Sequence, residues 1–99
     1  MSESGFSVIN RNYDEGKMVG FKLFFENGYG ISFVFGGDSK SDEVKMKTFG
    51  NSCDYFAKTA EVAVLNEKGE LVPFKNDGAI KSYVKPEEIG QIISWAQNR

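Results

Sequence analysis

The run MVGFKLFFENGYGISFVF, Met18 to Phe35, constrains the fold more than any other stretch of the chain. Two segments alternate at period two on either side of Asn27-Gly28. Before the turn, Phe21, Leu23 and Phe25 share one face, and Lys22 and Phe24 share the other. After it, Tyr29, Ile31, Phe33 and Phe35 point one way, while Gly30, Ser32 and Val34 point the other. Asn-Gly between two such runs predicts a two-residue type I′ turn, because that turn needs positive φ at both central residues. A chain with this hairpin at its centre is building an antiparallel sheet.

The remaining segments extend the same plan. Phe6–Asn10 predicts a short first strand, and Arg11–Lys17 reads as a turn with no apolar period. Gly36–Asp42, GGDSKSD, reads as a loop. Glu43–Phe49 alternates Val44, Met46 and Thr48 against Lys45 and Lys47, which predicts a short strand, and Gly50–Thr59 breaks that pattern. Ala60–Leu65, AEVAVL, is a strand, Asn66–Glu70 a turn, and Leu71–Phe74 a returning strand. Pro73 places that return at a sheet edge, since proline has no N–H for the ladder. A turn at Lys75–Gly78 and a last strand at Ala79–Val84 follow.

The chain then changes period. Ile89, Ile92, Ile93 and Ala96 follow the i, i+3, i+4, i+7 spacing of one helix face. Pro86 suits a first helical position, and Glu87 and Glu88 set negative charge at the positive end of the helix dipole. Lys85 is a poor cap, so the first turn is expected to fray. The sum is a single α+β domain over residues 1–99: a mostly antiparallel sheet of about five to six strands, with one C-terminal helix packed on a face.

Composition narrows the function. The chain holds 12 basic and 14 acidic residues, for a net charge of −2, so no whole-molecule field attracts duplex nucleic acid. It has no histidine and one cysteine, Cys53. That removes the commonest general base, the commonest zinc ligand, every Ser-His or Cys-His nucleophile pair and any internal disulfide. Cys53 is expected to be a small buried hydrophobe. The first residues, MSESGFSVIN, do not read as a signal peptide, and no apolar run approaches the roughly 18 residues of a membrane span. The expected setting is cytoplasmic. The expected chemistry is binding without turnover, with no metal and no cofactor.

One region offers the groups an anionic ligand needs. Gly36 and Gly37 can present backbone N–H groups, Ser39 and Ser41 hydroxyls, and Lys40, Lys45 and Lys47 cations. Asn51 and Ser52 add polar groups, and Tyr55 an aromatic face for a base. Lys58 can add to the same basic patch, and Phe56 beside it can stack on a base or plug the core. The loop lacks the GxxxxGK[ST] pattern, so it is not a P-loop. The first ten of these residues are the expected ligand-binding set, provided they converge.

Three stretches carry a resemblance: NGYGISFVFG, then GNSCDYFAKTAEVAVLNEKGE, then YVKPEEIGQIISWAQNR. Together they resemble a group of small uncharacterised accessory proteins of tailed bacteriophages, over roughly residues 25–99. In that group an NGY-G/S-V/I-S strand ends in FG, AEVAV and a glycine-centred hairpin follow, and a Y-V-x-PEE helix closes the chain. This sequence departs at Lys85, where Thr or Ser is commoner, and in a lengthened GGDSKSDEVKMKT segment. Phage accessory proteins of this size often counter host defence. The resemblance therefore implies a protein of the host cytoplasm that sequesters a phosphate-bearing nucleotide signal. The alternative is an interaction module that inhibits a host protein through an exposed strand edge. A homo-oligomer is expected in either case, because so small a core leaves strand edges open.

Overall fold

A computed structural model describes residues 4–13, 16–37, 39, 41–73 and 78–99. Among these, eight strands and one helix follow one another. They are β1 (Gly5–Tyr13), β2 (Gly16–Phe24), β3 (Gly30–Gly36), β4 (Lys45–Phe49), β5 (Ser52–Phe56), β6 (Ala60–Leu65), β7 (Leu71–Val72), β8 (Ile80–Val84) and α1 (Pro86–Gln97). Six strands form one antiparallel sheet in the order β1-β2-β3-β6-β7, with β8 also paired to β6. β4 and β5 form a separate two-stranded arm. The α+β plan with a C-terminal helix on a mostly antiparallel sheet is thus the observed architecture.

The central hairpin forms with a different turn from the type I′ expected. Phe24 stands opposite Gly30, and the Phe25 N–H donates to the Tyr29 carbonyl at 2.8 Å. The loop is therefore three residues, Glu26-Asn27-Gly28. The Gly28 N–H donates to the Phe25 carbonyl at 3.0 Å, and Gly28 alone has positive φ, at 92°. This is a type I turn closed by a left-handed glycine. The cause is register. A two-residue loop would set Phe21 and Leu23 against Val34 and Ser32. The observed pairing sets them against Phe33 and Ile31, which keeps every large side chain on one face. Asn27 has a second task. Its Oδ1 accepts the Tyr29 N–H at 2.9 Å, and its Nδ2 donates to the Ala96 carbonyl at 3.0 Å, tying the turn to the end of α1.

The core forms where α1 crosses the sheet. Ile31 and Phe33 of β3, Ala60, Val62 and Val64 of β6, and Val84 of β8 are buried beneath Ile92 and Ala96. The Phe21 and Phe33 rings stack at 4.8 Å. Val84 reaches this core through a bulge. Between its pairings with Val62 and Ala60, β8 spends one residue more than β6, and Tyr83 sits there at φ 52°. Lys85 brings no capping side chain, but Glu88 compensates. Its carboxylate accepts the Lys85 N–H at 2.9 Å and lies 3.6 Å from the Lys81 ammonium. The backbone bond first, and then the lysine charges, hold the Glu88 carboxyl below its usual range.

β1 runs to Tyr13, and β2 starts at Gly16, so Arg11–Tyr13 is strand where a turn was expected. The second half of the arm was expected to be irregular and is β5 instead. Among the described residues, no helix is long and apolar enough to cross a membrane.

Candidate functional site

The arm leaves the sheet after β3 and returns into β6. Its root is a clasp. The Asp42 N–H donates to Thr59 Oγ1 at 2.9 Å, and that hydroxyl donates back to Asp42 Oδ2 at 2.9 Å. Its tip is the pair Gly50-Asn51 between Phe49 and Ser52, which stand opposite each other. Gly50 takes φ 58°, as a hairpin turn with glycine first requires. Tyr55, Phe56 and Ala57 line an open cleft with Val19 and Phe35 at one end of the large sheet.

Gly36, Ser39 and Ser41 form a structural joint, and their polar groups are engaged with one another. The Gly36 N–H donates to Ser41 Oγ at 2.9 Å, the Ser39 hydroxyl donates to the Gly36 carbonyl at 2.6 Å, and the Ser39 and Ser41 hydroxyls meet at 2.7 Å. Gly36 is buried at φ 75°, and a Cβ there would come within 2.3 Å of the Lys17 carbonyl oxygen. Gly37 is also left-handed, at φ 60°. Of the expected ligand set, Lys40 lies outside the described residues.

The arm sorts the other candidates by face. Lys45, Lys47 and Phe49 alternate to one side and share it with Phe56, Asp54 and Ser52 opposite them. Met46 and Thr48 share the other side with Tyr55 and Cys53. Lys45 and Tyr55 therefore do not face a common ligand. Tyr55 instead carries the Lys17 ammonium 5.3 Å from its ring centre. Asn51 and Ser52 sit at the tip, four or more residues along the strand from Lys45, roughly 13 Å or further away. Cys53 is exposed rather than buried.

What does converge is a group at the base of the arm. Lys45, Lys47 and Lys58 surround Phe56 in an open cleft of about 340 Å³, whose remaining wall includes Asp42 and Glu43. The Lys47 ammonium stands 4.4 Å from the Phe56 ring centre and 5.4 Å from that of Phe49, a pair of cation–π contacts. Glu43 pairs with Lys45 at 3.3 Å, with both side chains exposed, which is worth at most about 1 kcal/mol. Asp42 is engaged by Thr59. With Glu43 taken up by Lys45 and Asp42 by Thr59, Lys47 and Lys58 leave the cleft suited to an anion with a flat apolar part. Phe56 and Lys58 are the residues that the ligand set lacked. The signal for Phe56 is Gly50-Asn51, a hairpin dipeptide that pairs Lys45 with Phe56 once it is read as a turn.

Among the described residues, no cluster of three or more Cys, Asp or Glu side chains could hold a metal ion. Comparison with known protein families, with curated proteins and with solved structures gives no match.

Proposed function

We propose that this chain is a non-enzymatic binding protein that captures a small phosphate-bearing, nucleotide-type ligand in the cleft at the base of the arm. The observation behind this reading is the grouping of Lys45, Lys47 and Lys58 around the face of Phe56. A base stacks on Phe56 in place of the Lys47 ammonium, which swings out to meet phosphate together with Lys45 and Lys58. The volume, about 340 Å³, is at the lower end of small-ligand sites. Capture rather than turnover fits a chain with no histidine and a cleft whose two carboxylates are already partnered. In a phage-infected cell, such capture would withdraw a nucleotide signal from host defence.

The test is calorimetric titration and thermal shift with mononucleotides, cyclic dinucleotides and inorganic phosphate. A true ligand at a hundredfold excess over its Kd stabilises the native state by about 2.7 kcal/mol. Lys47→Ala and Phe56→Ala weaken binding at least tenfold, and the affinity falls with rising salt. Tyr55→Ala, on the opposite face, leaves it unchanged. No nucleotide stabilising the parent at millimolar concentration, or a Lys47→Ala variant binding as tightly as the parent, overturns the reading.

A further inference from the structure

The helix covers only part of the core face of the sheet. Phe6 stands opposite Leu23 and Val8 opposite Phe21, and these stand opposite Ile31 and Phe33 in turn. Cross-strand neighbours share a face, so Phe6 and Val8 point to the side on which α1 lies. Yet Phe6 is 79% exposed and Val8 81%, whereas Ile31 and Phe33, two strands further in, are 0% and 2% exposed. α1 packs over β3 and β6, and the arm borders the end of the sheet near Val19 and Phe35 across an open cleft. No described residue shields Phe6 and Val8. The result is a step: a bare apolar ribbon of β1 and β2 beside a helix-high wall.

We infer that a second copy of this chain fills that step, with the two β1–β2 ribbons stacked face to face about a two-fold axis. Phe6 and Val8 of each copy then enter the space beside α1 of the other. Three observations select this occupant. First, a two-fold contact sets a patch against itself, so it must not carry like charges. Phe6, Val8, Phe21 and Leu23 carry none, Arg11 and Lys22 alternate to the opposite face, and Lys17, at the far end of the same face, is held over the Tyr55 ring. Second, a helix layer and a stacked sheet layer are each about 10 Å thick, so the partner's ribbon fits the height of the step. Third, the area suits a weak dimer: Phe6 and Val8 are 79% and 81% exposed, and a patch of roughly 300–500 Å² per copy buries at most about 1,000 Å² in all, the range of transient contacts. Edge-to-edge pairing of β1 strands preserves both sheet faces and would leave Phe6 and Val8 in water, so it does not account for them.

The test is sedimentation velocity with light scattering, from about 5 μM to about 500 μM chain, where mass action favours the assembled form. The parent shifts from a species of 11.0 kDa to one of twice that mass. Val8→Glu and Phe6→Glu stay at the single-chain mass, and their melting temperature at low concentration matches the parent's, because both side chains are exposed in the isolated chain. Ser7→Glu, on the same strand but the opposite face, dimerises like the parent. A single 11.0 kDa species throughout refutes the interface. So does a ladder of larger species, a Val8→Glu variant that dimerises like the parent, or a Ser7→Glu variant that does not dimerise.

Discussion

Gly36→Ala and Gly69→Ala make the same chemical change at two left-handed positions, φ 75° and φ 80°, in different surroundings. At Gly69 a Cβ meets nothing within 4 Å. Only the backbone term acts there, about 1–2 kcal/mol for a non-glycine residue in the left-handed region. It is offset by about 0.4–1 kcal/mol from the less flexible unfolded chain. The expected net loss is therefore about 1 kcal/mol or less. At Gly36 the same Cβ lies 2.3 Å from the Lys17 carbonyl oxygen and 2.7 Å from Val44 Cγ2. The Lys17 carbonyl belongs to β2, paired with β1, and cannot retreat without opening the ladder beside Met18 and Gly36. An overpacking term of about 1–3 kcal/mol is added, for a total of about 2–4 kcal/mol. Urea denaturation followed by circular dichroism measures both variants. With a slope of about 1 kcal/mol per molar urea, Gly36→Ala lowers the midpoint by about 2–4 M and Gly69→Ala by about 1 M or less. Equal losses at the two sites would refute the claim that Gly36, at the end of β3, is fixed by packing.

Three further substitutions test the ends of α1. Asn27→Ala removes the bonds to the Tyr29 N–H and to the Ala96 and Gln97 carbonyls and costs about 1–2 kcal/mol in chemical denaturation. Asn27→Asp keeps the acceptor but sets a carboxylate against the negative end of the helix, so its stability falls further as pH rises through about 4 and above; a pH-independent loss would contradict the contact. Glu88 is the reverse case. Its folded-state carboxyl is held low by the Lys85 N–H and then by Lys81. Its stabilisation is therefore present above the unfolded carboxylate range and disappears as pH falls through the lower folded value. Melting temperatures of the parent and Glu88→Gln accordingly differ at neutral pH and converge in acid; a constant gap would assign the effect to something other than charge.

Periodicity made the large sheet and the helix legible. Alternation located β2, β3 and β6 to within two residues, and the isoleucine spacing located α1. Turn chemistry carried less weight than face. Asn-Gly signalled the central hairpin, but its loop is set by keeping Phe21 opposite Phe33. The arm was half visible, because SCDYF alternates polar and apolar residues without an aliphatic face, and its partner strand lies beyond a dipeptide that reads equally well as loop. The candidate site was legible at Lys45 and Lys47, and Phe56 and Lys58 were legible as a stacking ring and a cation near them but not as part of the ligand set. Phe56 and Lys58 join them through cross-strand register and the return of the chain into β6, and neither is local. The exposure of Phe6 and Val8 was hidden for a related reason. An alternating strand announces an apolar face, but not how far the helix above it extends.

The clasp between Asp42 and Thr59 bears on how such a chain can diversify. β3 and β6 are antiparallel neighbours in the sheet, so the segment between them is, topologically, one long hairpin connection. Two residues 17 positions apart close its root within hydrogen-bond distance. Apart from the reach of Lys17 to the Tyr55 ring, the sheet therefore meets a pair of adjacent chain ends. Closing a loop costs only about 0.6 kcal/mol more for each doubling of its length. Lineages carrying this scaffold can accordingly exchange the whole arm, lengthen it or reduce it to a turn, while Ile31, Phe33 and Val62 keep the same neighbours. Recognition can then change quickly on a core that changes slowly.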